Sequence, residues 1–259
     1  MDMGKKLRMR RIFKNGGNAI IVPMDHGLYY EPSGNLRDLH KLVKVISKTE
    51  ADAILITPGM LGHVEDVIGD LAIVFRLDGT HTRMGQHLEK TKLISNLEQA
   101  VASGADIVVV NIFIGVDNED EHLEKLGTVA TACFRYGMPL MAEMVPASTL
   151  LHQFGKAKEK GKDAARDMQL AGRLAAELGA DCIKCQYTGD VESFKEVGAS
   201  TPLPIVIAGG PKADTDEQFL DMIKDCIKAG ARGICIGRNV WGRDNPAEIL
   251  SKLHKIVHK

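Results

Sequence analysis

Short apolar runs alternate along the chain with stretches whose apolar residues recur every three or four positions. The runs are Ala19–Asp25, Ala51–Pro58, Leu71–Asp78, Ala105–Gly115, Pro139–Pro146, Ala180–Tyr187, Pro204–Gly210 and Gly233–Asn239. Near-continuous hydrophobicity over such lengths marks strands buried on both faces, as in a parallel sheet. Between them, Leu36–Lys48 places Leu39, Leu42, Val43 and Ile46 on one helical stripe. Leu97–Ser103, Glu119–Tyr136, Ala164–Leu178, Glu192–Val197, Asp216–Ala229 and Pro246–Val257 read the same way. Only the link Gly59–Asp70 is short and weakly helical.

Three joints share one phrase: Ser103-Gly-Ala-Asp106, Leu178-Gly-Ala-Asp181 and Ala229-Gly-Ala-Arg232. Each puts Gly just past a helix, where a left-handed residue ends it, and a charged residue at the start of a strand. Eight such βα units in 259 residues predict an α/β fold, a TIM (β/α)8 barrel, over an open doubly wound sheet. No G-x-G-x-x-G follows the first strand, which weighs against a dinucleotide-binding sheet. No linker or low-complexity tract divides the chain, so residues 1–259 read as one domain. The longest irregular stretch, Ala147–Asp163, is Lys-rich and reads as a lid or a solvated loop.

Composition narrows the function. Hydrophobic residues are 44% and charged residues 26%, as in a globular protein. Lys plus Arg (33) balances Asp plus Glu (34), so bulk charge does not suggest nucleic-acid binding. No apolar run nears the roughly 20 residues of a membrane helix. The basic N-terminus continues into a polar, Arg-rich stretch rather than a signal peptide. Five cysteines, at 133, 182, 185, 226 and 235, fit a reduced, cytoplasmic protein. Cys182 and Cys185 resemble a redox or metal pair, but residues three apart on a strand face opposite ways, and ordinary packing is the simpler reading.

In a TIM barrel the active site lies at the C-terminal ends of the strands. These ends offer Asp25-His26, Thr57, Arg76 with Asp78, Asn111, Glu143 with Val145, Lys184 with Gln186, Gly209-Gly210 and Gly237-Arg238-Asn239. Lys184 interrupts an apolar strand. A buried lysine is costly unless it is paired or deprotonated, and desolvation lowers its pKa and frees the amine to attack carbonyls. The alternative is an ion pair with a carboxylate on a neighbouring strand, or a snorkelling side chain. The glycines of Ala208–Lys212 and Ile236–Asn239 end the seventh and eighth strands, where barrels often bind phosphate through backbone N–H groups, and Arg238 adds a fork of donors. Otherwise they are merely tight turns. Asp25 could hold a substrate hydroxyl or act as a base; a loop-capping Asp is the plainer reading. His26 beside it would serve as a hydrogen-bonding partner. The nine histidines show neither HxH nor HExxH pairing, so no metal and no cofactor is expected.

Arg11-Ile-Phe13, Val22-Pro-Met-Asp-His-Gly27, Gly137-Met-Pro-Leu140, Lys184 with Tyr187-Thr-Gly-Asp190, Ile207-Ala-Gly-Gly-Pro-Lys212 and Gly237-Arg-Asn239 together resemble the archaeal-type class I fructose-bisphosphate aldolases. That group also holds 2-amino-3,7-dideoxy-D-threo-hept-6-ulosonate synthase and the autoinducer-processing thiolase. The resemblance implies a Schiff base on Lys184, substrate orientation or deprotonation by Asp25, and a phosphate held by Gly209, Gly210, Gly237 and Arg238, with His26 close by. It implies a phosphorylated sugar or ketone as substrate, no metal, and a homo-oligomer, often a decamer. One position departs. The aldolases and the heptulosonate synthase carry a strand-five Tyr in a Tyr-Pro-Arg-Gly phrase as proton donor, and here Val145 stands in its place. Glu143, two residues earlier on the same strand face, is the expected substitute, with Tyr29 or Tyr30 as the other candidates. The expected activity is cleavage or formation of a carbon–carbon bond in a ketose such as fructose 1,6-bisphosphate. The alternatives are a heptulosonate synthase-like transaldolase, a sugar-phosphate-binding protein without turnover, and a metal-dependent barrel aldolase.

Overall fold

The computed structural model describes residues 3–14, 17–79, 81–85, 87–149, 162–210 and 212–258. Eight parallel strands close into a barrel: β1 (Ala19–Pro23), β2 (Ala53–Ile56), β3 (Ala72–Arg76), β4 (Ile107–Ile114), β5 (Leu140–Pro146), β6 (Cys182–Gln186), β7 (Ile205–Ala208) and β8 (Gly233–Cys235). They pair in sequence order, and β8 returns to β1 with Ala19 opposite Gly233. Among the described residues, the helices longer than four residues are α1 (Met3–Ile12), α2 (Leu39–Ile46), α3 (Leu97–Ala102), α4 (Glu119–Tyr136), α5 (Lys162–Glu177), α6 (Val191–Ala199), α7 (Asp216–Lys228) and α8 (Pro246–Val257). This is the (β/α)8 barrel that the sequence predicts. The weakly helical link after β2 is one turn, Pro58–Leu61. Most of the stretch read as a lid or loop, residues 150–161, lies outside the described residues.

The period-2 pleat sorts the strands into two cores. Ala19, Ile21, Leu55, Val74, Val109, Met141, Cys182, Val206 and Cys235 fill the barrel interior, while Ile20, Val22, Ile54, Val108, Leu140, Ile183, Cys185 and Ile207 pack outward against the helices. Cys182 and Cys185 therefore face opposite ways, and all five cysteines are free and buried. The glycines of the three repeated joints, Gly104, Gly179 and Gly230, all sit at positive φ (74°, 92° and 101°), as a helix-ending residue must.

The N-terminal helix α1, which the apolar pattern does not predict, plugs the bottom of the barrel. Ile12 and Phe13 close the interior core from below. Asp52, Asp106 and Asp181 stand just before β2, β4 and β6. Each accepts the backbone N–H of a residue on the preceding strand, from Ile20, Ile73 and Leu140 respectively. Each is also paired with a cation of the N-terminal segment: Lys14 with Asp52 (3.1 Å), Arg11 with Asp106 (2.7 Å) and Lys5 with Asp181 (2.7 Å). The basic N-terminus thus matches an acidic ring, and only the Lys5 pair is buried on both sides. With the lower mouth sealed, the upper mouth is left for chemistry.

Candidate active site

At the C-terminal end of the barrel the inward positions turn from apolar to charged. Asn111, Glu143, Lys184 and Val206 are successive Cα partners across β4, β5, β6 and β7, which puts the first three side chains side by side at one height. Arg76 rises from one level lower on β3, opposite Val109. Asp25 follows β1 in a short 3-10 turn, Asp25–Leu28.

Arg76 organises this layer. Its guanidinium is 1% exposed and bonds Asp25 Oδ2 through Nε (2.9 Å) and Nη2 (2.8 Å), Glu143 Oε2 (2.5 Å) and Asp78 Oδ1 (3.3 Å). Lys184 Nζ closes the chain on Glu143 Oε1 at 2.7 Å. Two residues beyond Arg76, Asp78 also accepts the N–H of Asn111 (2.9 Å) and pairs with Lys125 (2.8 Å). Three carboxylates thus face three cations. Buried charges are tolerated when so paired and bonded.

The pairing corrects one expectation. Burial by itself would lower the pKa of Lys184, but Cys235, Glu143 and Asp25 push it up against both burial and Arg76, and the lysine ends above its ordinary range. The Cys235 thiol is itself raised to about 12 by burial, so at neutral pH it is uncharged and the two carboxylates carry the effect. The resting side chain is an ammonium in an ion pair, not a desolvated free amine. Glu143 also departs from expectation. It reaches into the pocket as the strand pattern requires. Burial would raise its carboxyl, but Lys184 and Arg76 outweigh burial and hold it down to about 2, so in this state it has no proton to give.

A pocket opens above this layer, and all the residues expected at the site line it: Asp25, His26, Glu143, Lys184, Gly209, Gly210, Gly237 and Arg238. The two glycine loops are joined by buried Asn239, whose Oδ1 accepts from Ala213 N (2.8 Å) and whose Nδ2 donates to Gly209 O (3.2 Å). Gly237 has no room for a side chain, since a Cβ there would stand 2.8 Å from Trp241 Nε1. Arg238 reaches this rim, its pKa lowered by burial. His26 lies stacked on Tyr30 (4.8 Å between ring centroids) and tilted against Trp241 (5.3 Å), and burial, then Arg238, lower its pKa.

The opposite wall is Tyr29, His81, Asn111 and Phe113. The Tyr29 hydroxyl accepts from Asn111 Nδ2 at 2.9 Å, and its ring stacks on His81 (4.7 Å). Val145 also lines the pocket and carries no exchangeable proton. The sequence reading names Arg76 and Asn111 only as strand ends. Yet Arg76 breaks the run Ala-Ile-Val-Phe-Arg as Lys184 breaks its own, and the same logic applies to both. Among the described residues no group of three His, Cys, Asp or Glu side chains is arranged to hold a metal ion.

Residues 19–243 match the DeoC/LacD family of aldolases. The chain is 34% identical to 2-amino-3,7-dideoxy-D-threo-hept-6-ulosonate synthase 1 of Archaeoglobus fulgidus, over 99% of this chain and 92% of that one. It is 32% identical to the 2-amino-3,7-dideoxy-D-threo-hept-6-ulosonate synthase of Halobacterium salinarum, over the same shares. Among solved structures it superposes with a TM-score of 0.87 and 26% identity on an archaeal fructose-1,6-bisphosphate aldolase whose catalytic lysine is covalently bound to the carbinolamine intermediate of the substrate, covering 98% of this chain and 100% of that one.

Proposed function

The chain belongs to the DeoC/LacD family of aldolases, and from that premise we infer that it is a class I aldolase that makes or breaks a carbon–carbon bond in a phosphorylated ketose such as fructose 1,6-bisphosphate, through a Schiff base on Lys184. The observation that carries this reading is the buried Lys184 ammonium, 2.7 Å from Glu143 at the open end of the barrel and facing a pocket whose far rim is two glycine loops and an arginine.

The phosphate of the ketose lies on the backbone N–H groups of Gly209, Gly210 and Gly237 and on the Arg238 fork, with His26 beside them. This anchors the substrate so that its carbonyl stands over Lys184 Nζ, and a fixed reacting distance is itself a large part of catalysis. The resting lysine must lose a proton before it attacks. Glu143 is the acceptor in contact with it. The first proton moves to Glu143 as the nitrogen adds to the carbonyl, the nitrogen passes a second proton to the new oxygen, and Glu143 returns the first so that the carbinolamine hydroxyl leaves as water. The resulting iminium restores the cation at the same nitrogen, so the Glu143 carboxylate is paired in both the resting and the iminium state. The positive nitrogen draws the bonding electrons as the carbon–carbon bond breaks. Asp25 or Glu143 takes the proton of the substrate hydroxyl, and Arg76 holds both carboxylates in place. The enamine is then protonated on carbon, and water releases the ketone.

A second reading is favoured by the relatives at 32–34% identity, both heptulosonate synthases: a transaldolase-like enzyme that passes the enamine to another aldehyde. Both readings share the Lys184 step. Incubation with fructose 1,6-bisphosphate, alone and with aspartate semialdehyde, separates them: triose phosphates formed without an acceptor support the aldolase, and a seven-carbon amino-ketose formed only with the acceptor supports the transaldolase. No product with either leaves a sugar-phosphate-binding protein. The reading extends to a reduced, cytoplasmic homo-oligomer. It is supported by the five free cysteines and by Phe134 on α4 and Leu170 on α5, which expose large apolar side chains on the outer helices.

A further inference from the structure

The last chemical step needs a group that carries a proton at neutral pH and stands on the Lys184 side of the pocket. The carboxylates there rest against cations and serve the substrate hydroxyl proton instead. Asp25 Oδ2 receives two N–H bonds from Arg76, and both oxygens of Glu143 are taken, one by Arg76 and one by Lys184. His26 and Tyr30 fail the second. They stack on each other beside Trp241, at the rim assigned to phosphate. Tyr29 meets both. Its hydroxyl lies 2.9 Å from Asn111 Nδ2, and Asn111 is the Cα partner of Glu143, which is the Cα partner of Lys184. The Asn111 amide donates to the phenol oxygen, so the phenol hydrogen is free to point elsewhere. Burial raises the pKa of Tyr29 well above its ordinary value, which keeps the hydroxyl protonated. His81, stacked on its other face, fixes the ring.

Accordingly we propose that Tyr29, positioned by Asn111, is the residue that exchanges a proton with the substrate carbon next to the iminium. The assignment rests on the Schiff-base reading of Lys184. In the cleavage direction the enamine carbon takes the Tyr29 O–H proton, the enamine electron pair forms the new C–H bond, and the nitrogen returns to an iminium. The phenolate regains a proton from the carboxyl that accepted the substrate hydroxyl proton, through the pocket, so the cycle closes with no net change. In the reverse direction the path runs backward: Tyr29 first passes its proton to that carboxylate, and the phenolate then removes the same carbon-bound proton. The proton donor is thereby carried on the loop after β1 rather than at the strand-five position that Val145 occupies.

The half-reaction with dihydroxyacetone phosphate tests this. Deuterium exchange at its C3 in heavy water is followed by NMR, and borohydride trapping of the same ketone is run in parallel. Tyr29→Phe keeps the ring and its packing. It is expected to trap as the wild type does while exchange falls at least ~100-fold, the usual scale of a lost general acid–base group. Asn111→Leu is expected to trap normally and to slow exchange about 10-fold, roughly the loss of one hydrogen bond of about 1.4 kcal/mol. Exchange at the wild-type rate in Tyr29→Phe overturns the proposal, as does loss of trapping together with exchange. Should Tyr29→Phe not fold, 3-fluorotyrosine at position 29 replaces it. The more acidic phenol is expected to move the alkaline limb of the exchange profile to lower pH, and an unmoved limb overturns the proposal. Absence of any adduct on the wild type would instead sink the Schiff-base reading, and this one with it.

Discussion

Lys184 Nζ stands 2.7 Å from Glu143 Oε1, and the two residues are Cα partners on adjacent strands. The register of β5 against β6 therefore fixes the ion pair, and neither side chain can leave it without changing rotamer. The pair has two consequences that experiment can separate, one for reactivity and one for stability.

For reactivity, the carboxylate holds the lysine protonated, so Schiff-base formation is expected to rise with pH. Glu143→Gln removes one of the charges that raise the Lys184 pKa. The acidic limb of the imine-formation profile is expected to move to lower pH, while turnover falls roughly 10²–10⁴-fold because the proton acceptor is lost. Stopped-flow or quenched borohydride trapping across pH 5–9 reads the first, and product formation reads the second. An acidic limb that stays in place would show that Glu143 does not govern the lysine.

For stability, Glu143 titrates at about 2 in the folded protein, against an ordinary 4.5. A depressed carboxyl stabilises the fold above its unfolded pKa, and that contribution disappears as pH falls through the folded value. The difference in urea midpoint between wild type and Glu143→Gln is therefore expected to be constant above about pH 5 and to shrink between about pH 4.5 and 2. A difference that is flat across this window would contradict the ion pair.

Arg76 is the only described cation that touches Asp25, Asp78 and Glu143 together. Arg76→Met leaves buried carboxylates short of a partner, and removal of one side of a buried pair costs about 3–5 kcal/mol. Thermal denaturation is expected to show a loss of several degrees, and turnover is expected to vanish. A variant of near wild-type stability would mean that water replaces the guanidinium.

Arg238 belongs to the phosphate end. Arg238→Ala is expected to raise KM for a phosphorylated ketose about 10- to 100-fold, the range of a lost charge-assisted hydrogen bond. It should leave binding of the unphosphorylated sugar unchanged. Equal effects on both sugars would place the phosphate elsewhere.

The barrel is legible in the sequence because its signals are local. Eight apolar runs and three repeated Gly-Ala-Asp/Arg joints need no knowledge of packing, and Lys184 declares itself by interrupting one run. What is not legible is pairwise. Helix α1 has no apolar stripe: only its last residue, Ile12, joins the core, and Lys5 and Arg11 hold it through aspartates 176 and 95 positions away. Arg76 sits in an apolar strand just as Lys184 does, but its role depends on Asp25 and Glu143, 51 and 67 positions distant. The protonation of Lys184 fails to follow from burial for the same reason, since its counter-charge is on another strand.

The central claim is that Lys184 forms a Schiff base with a phosphorylated ketone. Intact-protein mass after incubation with dihydroxyacetone phosphate and borohydride, run beside Lys184→Ala, tests it most directly. A single covalent increment on the wild type, absent from Lys184→Ala, is the predicted result. An unmodified wild type, or an adduct that survives in Lys184→Ala, would contradict it.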